Sequence, residues 1–488
     1  MSLVKLGRPT ATENYPRPAS STVTLRAVAS FDRLSSDDAA ILKLESAAIT
    51  GHTCKVIVLE PGTERHPLLE ELRAQVNRRL WREPRARRLV ARTPLGLAPP
   101  VWVDDPNFDL DAHVTAWGLE QHQTLESCVA ELMSKRLDHS RPLWHMDLVG
   151  PLDDGTTAIV WRIHHAMADG MTCLRLGAEM LWDQQSAPAE DPGPPWLPER
   201  SPGRRGLLTG ALADRASAVG SAVVGGVREL AHPRSLLASA GRMTELPGAL
   251  RRELRPMPGD SPLDDHISGQ REVAFVARPL DDLKRAEQQA RERLGIHVTI
   301  NDLLLAAVAG GIRHWLEDER MPLDPMRVKV PVSLHRPDEG EEVANRDSFL
   351  FLDLPCDQDD PDHRLRRITA EAETAKEDHD AEALYSFFHG LAHLGPLGRA
   401  GVRLASSPHE FSLAVSNVPG PREPIYVLGR PVRRLYSIAE PADRHALRVS
   451  AISCAGTMGV GLCTDPTHLH DLDRLADGLN RAFDELLA

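Results

Sequence analysis

A proline-rich interruption constrains the fold of this chain more than any other feature of its sequence. Six prolines lie between Gln184 and Gly206, at positions 188, 192, 194, 195, 198 and 202. Proline has no amide proton to donate, so neither a regular helix nor a central strand can continue through this stretch. Helical and strand patterns are mixed on both sides of it. The sequence therefore predicts an α/β (α+β) protein of two lobes joined by an irregular connection.

We expect four regions along the 488 residues, a length that exceeds the usual size of one hydrophobic core. Residues 1–22 are polar and rich in Pro, Ser and Thr, which is typical of disorder. Residues 23–183 form an N-terminal lobe, residues 184–264 a proline-rich linker with a basic helical connector, and residues 265–488 a C-terminal lobe. Within the connector, residues 204–255 contain nine arginines against four acidic residues.

Charge and cysteine pattern argue against several classes of protein. Seventy acidic side chains outnumber 57 basic ones, a net charge of −13, whereas a nucleic-acid-binding protein needs a basic face. The six cysteines include no CxxC pair, so neither a zinc ribbon nor a thioredoxin-type site is indicated, and a reducing compartment is the default. The N-terminus lacks the apolar core of a signal peptide, and no uncharged apolar run is long enough to span a bilayer. We therefore expect a cytoplasmic protein without a nucleic-acid partner.

A buried strand leads directly into two adjacent histidines. Residues 144–163 read as a β-hairpin, and its second strand is followed by His164-His165-Ala166-Met167-Ala168-Asp169-Gly170. Successive side chains of a strand point to opposite faces, so one histidine can face a cleft while the other packs inside. Asp169 can cap the helix that follows, and Gly170 tolerates a close backbone approach.

Histidine in this position suggests acid–base chemistry. Imidazole titrates near pH ~6.5, so it can take a proton from an alcohol and return it to a leaving thiolate. The alternative is that both histidines are core or metal-binding residues. A zinc site would need further ligands at suitable spacing, and the remaining histidines form no recognisable cluster in the sequence, so we expect no metal. These are His52, His113, His122, His139 and His145.

The seven-residue segment resembles the HHxxxDG signature of the CoA-dependent acyltransferase superfamily, which includes chloramphenicol acetyltransferase-like enzymes and the condensation domains of peptide synthetases. Six further segments resemble, in family order, bacterial wax ester synthase/diacylglycerol acyltransferases. They are residues 34–39 (LSSDDA), 106–113 (PNFDLDAH), 141–144 (RPLW), 299–302 (TIND), 331–336 (PVSLHR) and 416–421 (SNVPGP).

The resemblance implies a fold and a set of roles. It implies two chloramphenicol-acetyltransferase-like lobes, each a mixed sheet packed with helices, with an active-site tunnel between them. It implies that His165 is the general base, that His164 is structural, and that Asp169, followed by Gly170, orients the histidine turn, typically through an arginine.

Other site residues follow from the same resemblance. Asn301 and Asp302 match the family's Asn-Asp pair near the site, and five residues match its other recurrent blocks: Pro142, Leu143, Trp144, Ser416 and Asn417. Purely structural roles for the same residues stay open as alternatives. Asn301 is a good helix cap, Asp302 a partner for the helix dipole, Trp144 a core residue, and residues 416–421 a strand end with a turn.

The activity implied is transfer of a fatty acyl group from acyl-CoA to diacylglycerol, a long-chain alcohol, or both, without a covalent acyl-enzyme. Acyl-CoA is then a co-substrate, and no bound cofactor is expected. Two alternatives stay open: the same chemistry on another acceptor alcohol of specialised metabolism, or a non-catalytic lipid-binding homologue. Such apolar substrates suggest a peripheral position on a membrane or lipid-droplet surface, such as the inner face of the plasma membrane, contacted through residues 204–255.

Overall fold

The computed structural model describes residues 32–61, 69–119, 123–183, 193–214, 261–333, 347–377 and 411–488. The N-terminal segment predicted to be disordered lies outside these ranges. So do residues 184–192 of the linker, most of the basic connector, and the second half of the segment 331–336.

The first sheet has six strands: His52–Leu59 (β1), Val114–Trp117 (β4), Trp144–Val149 (β5), Thr157–His164 (β6), Tyr426–Val427 (β11) and Arg430–Ala439 (β12). Their order is β11-β12-β1-β6-β5-β4, with β4 and β5 parallel and the other pairs antiparallel. The predicted hairpin over residues 144–163 is confirmed by the pairing of β5 with β6. Arg88–Ala91 (β2) and Val101–Asp104 (β3) form a small separate sheet.

Helices cover both faces of the first sheet. They are Ser36–Leu44 (α1), Leu69–Arg79 (α2), Leu125–Met133 (α3) and Gly170–Met180 (α4). Residues 204–214 (α5) pack instead on the small sheet β2-β3. Alternate residues of β1 serve the two faces, as strand geometry requires. Val56 packs in a cluster with α3, whereas Ile57 packs in a cluster with α2 and α4. Because both faces are covered, all eight residues of β1 are buried.

The second sheet also has six strands: Glu272–Pro279 (β7), Met326–Ser333 (β8), Asp347–Leu354 (β9), Leu413–Val418 (β10), Leu447–Cys454 (β13) and Thr457–Thr464 (β14). Their order is β7-β14-β13-β10-β8-β9, and β10 is parallel to both of its neighbours. Its helices are Leu280–Leu294 (α6), Ile300–Asp318 (α7), Pro361–Glu377 (α8) and Leu472–Leu487 (α9). They pack with one face of the sheet in a single apolar cluster. Two mixed sheets packed with helices confirm the predicted fold class.

Two strands from the C-terminal half of the chain belong to the first sheet. β12 pairs along its length with β1, from Thr53↔Ala439 to Leu59↔Val432, and β11 extends the sheet beyond it. The sheets are therefore tied together by main-chain hydrogen bonds between residues that lie nearly 400 positions apart.

β12 also lies directly against β14 of the second sheet. A Cβ atom added at Gly461 would stand 2.4 Å from the carbonyl oxygen of Ser437, and one added at Gly459 would stand 2.2 Å from that of Leu435. Real Cβ atoms do not approach carbonyl oxygens so closely. Both glycines are thus required for the contact between the sheets.

We expect Gly461→Ala to lower the free energy of unfolding by about 1–3 kcal/mol, because the new methyl group would push β12 away from β14. Chemical denaturation of the full chain measures this. Gly118→Ala is the matched control, since a Cβ there would have no atom within 4 Å. Equal stability of the two variants would show that β12 does not depend on the glycine.

Candidate active site

The two histidines lie where β6 ends and turns into α4. His164 is the last residue of β6, and α4 begins at Gly170. The main-chain carbonyl of His164 accepts hydrogen bonds from the amides of Met167 (2.9 Å) and Ala168 (3.2 Å). Asp169 is the N-cap of α4, where its carboxylate accepts a 2.6 Å hydrogen bond from the amide of Thr172. The turn is thus held by its own backbone and by the cap that the sequence predicted.

The side chains of His164 and His165 lie on opposite faces of the sheet. His164 follows Arg162 on the face that α3 covers, and it is fully buried. His165 is half-buried and follows Ile163 on the other face, which it shares with Lys55 of the neighbouring strand. The amide of His165 donates to the carbonyl oxygen of Gly51 (2.9 Å), which continues the pairing of β6 with β1 past the strand end.

Both ring nitrogens of His164 are engaged inside the protein. Nδ1 accepts a hydrogen bond from the amide of Ala166 (3.0 Å), so the proton of the neutral ring is on Nε2. Nε2 then donates to Oε1 of Glu45 at 2.6 Å. Gly51 packs against this ring, because a Cβ there would lie 2.4 Å from Nε2. His164 therefore has no nitrogen left to exchange a proton with a substrate.

Glu45 joins His164 to a third histidine. His139 Nε2 lies 2.8 Å from the same Oε1 atom. Burial raises the pKa of the Glu45 carboxyl, but the hydrogen bonds and charges of the two histidines bring it below its ordinary value, so Glu45 is an anion. The expectation that the other histidines form no cluster was wrong for His139. Glu45 lies 94 and 119 positions from His139 and His164, so no sequence pattern marks it as their shared partner.

The donor atoms of Glu45, His139 and His164 all lie within 4.8 Å of one another, a spacing that a metal ion could use. The tautomer of His164 argues against one. A metal on Nε2 would need the ring proton on Nδ1, yet Nδ1 accepts a hydrogen bond from Ala166. The cluster is better described as a hydrogen-bonded support for the histidine turn.

A second buried acid holds the loop in front of the histidines. Glu440, just past the end of β12, accepts hydrogen bonds from the amides of Thr50 (2.7 Å) and Gly51 (2.5 Å) and from the Thr50 hydroxyl (2.8 Å). Burial raises the pKa of this carboxyl. Since the carbonyl of Gly51 receives the amide of His165, the C-terminal half of the chain helps to position the candidate base. No local sequence signal marks either Glu45 or Glu440 for these roles.

The surroundings of His165 keep its ring neutral. Burial, and after it the positive charge of Arg448, lowers the pKa of His165 to about 3, with smaller effects from His164 and Lys55. A neutral imidazole at physiological pH can accept a proton. Lys55 itself donates to the Ser437 hydroxyl at 2.6 Å.

The structure brings part of the C-terminal half next to the motif. A Cβ added at Gly170 would stand 3.1 Å from Cγ2 of Val418, so the motif touches the segment 416–421 directly. Within that segment the Ser416 hydroxyl bonds the hydroxyl of Ser450 (3.3 Å), and Asn417 is half-buried at the end of β10.

Pro142, Leu143 and Trp144 support the strand that carries the histidines. The carbonyl of Leu143 accepts the amide of His164 (3.0 Å). Trp144 is 1% exposed, and its indole NH donates to the carbonyl of Ala86 (2.7 Å), so the core reading of Trp144 is confirmed. Pro142 is buried beside them.

The pair Asn301-Asp302 lies at the start of α7. The N-cap there is Thr299, so the expectation that Asn301 caps the helix was wrong. Asp302 completes a capping box, with its carboxylate accepting the amide (2.9 Å) and hydroxyl (2.7 Å) of Thr299. Among the described residues, no hydrogen bond or ion pair connects this pair with the histidine turn, and none joins Asp169 to an arginine.

Comparisons with known proteins identify the family of this chain. The family described as "Wax ester synthase/diacylglycerol acyltransferase catalytic domain" matches residues 34–304, and "WS/DGAT C-terminal domain" matches residues 343–487. A putative diacylglycerol O-acyltransferase of Mycobacterium tuberculosis is 31% identical over 475 residues, covering 93% of this chain and 97% of the relative. A probable diacylglycerol O-acyltransferase of the same species is 30% identical over 404 residues, covering 81% and 83%.

Solved structures resemble the fold. A wax ester synthase/diacylglycerol acyltransferase from Marinobacter aquaeolei VT8 superposes with a TM-score of 0.65 at 21% identity, covering 93% of this chain and 98% of that one. The starter condensation domain of rhizomide synthetase has a TM-score of 0.55 at 11% identity, with 96% of each chain covered. At these identities the likeness concerns the fold alone.

We expect His164→Ala to destabilise the protein and His165→Ala to leave its stability nearly unchanged. Loss of the His164 ring leaves the buried amide of Ala166 without a partner and removes one from Glu45, which costs about 1–3 kcal/mol for each unsatisfied group. The two variants remove the same side chain from adjacent positions, so each controls for the other in chemical denaturation. A larger loss of stability in His165→Ala would reverse the two roles.

Proposed function

Because this chain belongs to the wax ester synthase/diacylglycerol acyltransferase family, we propose that it transfers a fatty acyl group from acyl-CoA to an alcohol, with His165 as the general base. One observation carries the assignment of the base. His165 is half-buried whereas His164 is fully buried, and no described residue forms a hydrogen bond with the ring of His165, whereas both ring nitrogens of His164 are engaged. His164 is then a positioning residue, and Asp169 acts by capping α4.

The reaction proceeds through a tetrahedral intermediate. His165 takes the proton of the acceptor hydroxyl while the oxygen bonds to the thioester carbonyl carbon, and the carbonyl electron pair moves onto its oxygen. When the oxyanion collapses, the carbon–sulfur bond breaks, and the thiolate of CoA receives the proton from His165. The products are an ester and free CoA. No acyl group is bonded to the enzyme, and no cofactor beyond acyl-CoA is needed.

The acceptor follows from the family and its named relatives. The family description covers both wax ester synthases and diacylglycerol acyltransferases, and the two relatives, which match 93% and 81% of the chain, are named as diacylglycerol O-acyltransferases. We therefore propose diacylglycerol as the first acceptor and a long-chain alcohol as the second. The intact His165 and Asp169 favour catalysis over passive lipid binding.

An activity panel tests this proposal. The full chain is assayed with acyl-CoA of several lengths against dioleoylglycerol and hexadecanol, with free CoA and ester product both measured. His165→Ala should lower turnover by about 10²-fold or more, because only the base is lost. His363→Ala, which removes an exposed histidine of α8, is the matched control.

Two results would contradict the proposal. Ester formation on neither acceptor would reject the activity, and CoA release by well-folded His165→Ala at the wild-type rate would reject His165 as the base.

We further propose that the protein meets its apolar substrates at a lipid surface through the basic stretch that begins at residue 204. In the described part of this stretch, Leu207 and Ala211 of α5 are buried, and Leu207 packs on the sheet β2-β3. The outer side presents Arg204, Arg205 and an exposed Leu212. Cationic and apolar side chains on one surface are the two-part signal that peripheral membrane binding requires. Among the described residues, no helix has the length and apolarity to cross a bilayer.

Flotation with anionic vesicles tests this surface. Arg204→Gln/Arg205→Gln should bind more weakly than wild type at low salt, since each arginine near an anionic surface contributes about 1 kcal/mol. Arg285→Gln/Arg474→Gln is the matched control, because it removes two exposed arginines from elsewhere. Binding that is insensitive to the first pair would remove this stretch as the contact.

A further inference from the structure

The face of the second sheet that its helices leave uncovered is turned toward the histidine motif. Along β13, Leu447, Val449 and Ala451 pack with the helices of the second sheet, so the alternate residues point the other way. Of these, Ile452 belongs to the apolar cluster of the first sheet. The side of β13 that carries Arg448 is therefore the side that meets the first sheet.

The neighbouring strand shares this orientation. Ala414 of β10 is paired with Arg448, and Ser416 with Ser450, whose hydroxyls are hydrogen-bonded. Two residues further along β10, Val418 contacts the motif at Gly170. Arg448 thus lies on the partly polar face formed by β10 and β13, and the C-terminal end of β10 contacts the turn that carries His165. In agreement with this placement, Arg448 is the foremost of the charges that lower the pKa of His165.

No described residue pairs with the charge of Arg448. Within the described part of the chain it makes no hydrogen bond or ion pair, and its buried Nε has no acceptor. Burial lowers the pKa of the Arg448 guanidinium to about 10, and no acidic group in the described ranges raises it again. The side chain is still a cation at neutral pH. Arg448 is half-buried, and its Nε atom is buried. A cation withdrawn from water without a counter-charge is unfavourable for folding, and such exceptions are concentrated at functional sites.

The proposed reaction forms one anion close to His165, the oxygen of the tetrahedral intermediate. We propose that Arg448 is a further catalytic residue, which donates hydrogen bonds to this oxyanion. The inference rests on the proposed function and adds the oxyanion donor to it. Arginine suits the role because its donors are fixed in a plane and its charge persists when it is buried. Lys55, the other cation near His165, already donates to Ser437.

Arg448→Met separates a catalytic role from a structural one. We expect kcat to fall by about 10²–10³-fold, as on removal of other oxyanion donors, with a smaller change in KM. The midpoint of thermal unfolding should stay the same or rise, because an unpaired buried charge is replaced by an apolar chain of similar length. Arg448→Lys should retain more activity than Arg448→Met, since it keeps the charge.

The pH profile gives a readout that a structural role would not move. The titratable groups that act on His165 are Arg448 from β13, Lys55 from β1 and His164 from its own turn. The base works only when neutral, so the acid limb of kcat/KM for wild type should lie well below the ordinary pKa of histidine, ~6.5. Removal of the Arg448 charge raises the pKa of His165, and the acid limb of Arg448→Met should move to higher pH.

Arg434→Met, an exposed arginine on β12, is the matched control and should behave as wild type. Wild-type kcat in Arg448→Met would overturn the inference while the proposed function stands, and an inactive wild type would instead reject the proposed function. Lower stability in Arg448→Met with an unmoved acid limb would make Arg448 structural and also overturn it. If kcat falls in Lys55→Met but not in Arg448→Met, Lys55 rather than Arg448 is the oxyanion donor.

Discussion

The pairing of β12 with β1 is the interaction on which the rest of the structure depends. It places residues 430–439 in a sheet otherwise formed by the first half of the chain, and it lays the same strand against Gly459 and Gly461 of the second sheet. Beyond its last residue, Glu440 binds Thr50 and Gly51, and Gly51 receives the amide of His165. The histidine turn is thus fixed by both halves of the chain.

The division of labour between the two histidines follows from strand geometry. Consecutive residues at a strand end point to opposite faces, so two identical side chains enter different environments. His164 enters a buried network with Glu45 and the amide of Ala166, which fixes its tautomer. His165 enters the region between the sheets, where burial and positive charge keep it neutral. Neither residue could do the work of the other.

Local features of the active site could be predicted from the sequence, whereas most long-range features could not. The hairpin before His164 and the cap at Asp169 depend on neighbouring residues, and both were found. Glu45 and Glu440 act across more than one hundred residues, and no local pattern marks a glutamate for such a partner. For the same reason, no local pattern indicates that β12 pairs with β1 of the first sheet. Asn301 was misassigned because Thr299, two residues earlier, also caps helices and forms a capping box with Asp302.

Withdrawal from water lowers the pKa of His165 and also leaves the Arg448 charge without a counter-ion among the described residues. Each of these features is unfavourable by itself. A histidine with a low pKa is a weak base, and a guanidinium removed from water without a counter-ion destabilises the fold. Attack on the thioester changes both at once, because it creates an oxyanion as His165 becomes an imidazolium. The new negative charge offsets the repulsion between the two cations, so the proton is accepted most readily when the carbon–oxygen bond forms. On this account the site is electrostatically matched to the tetrahedral intermediate rather than to the bound substrates.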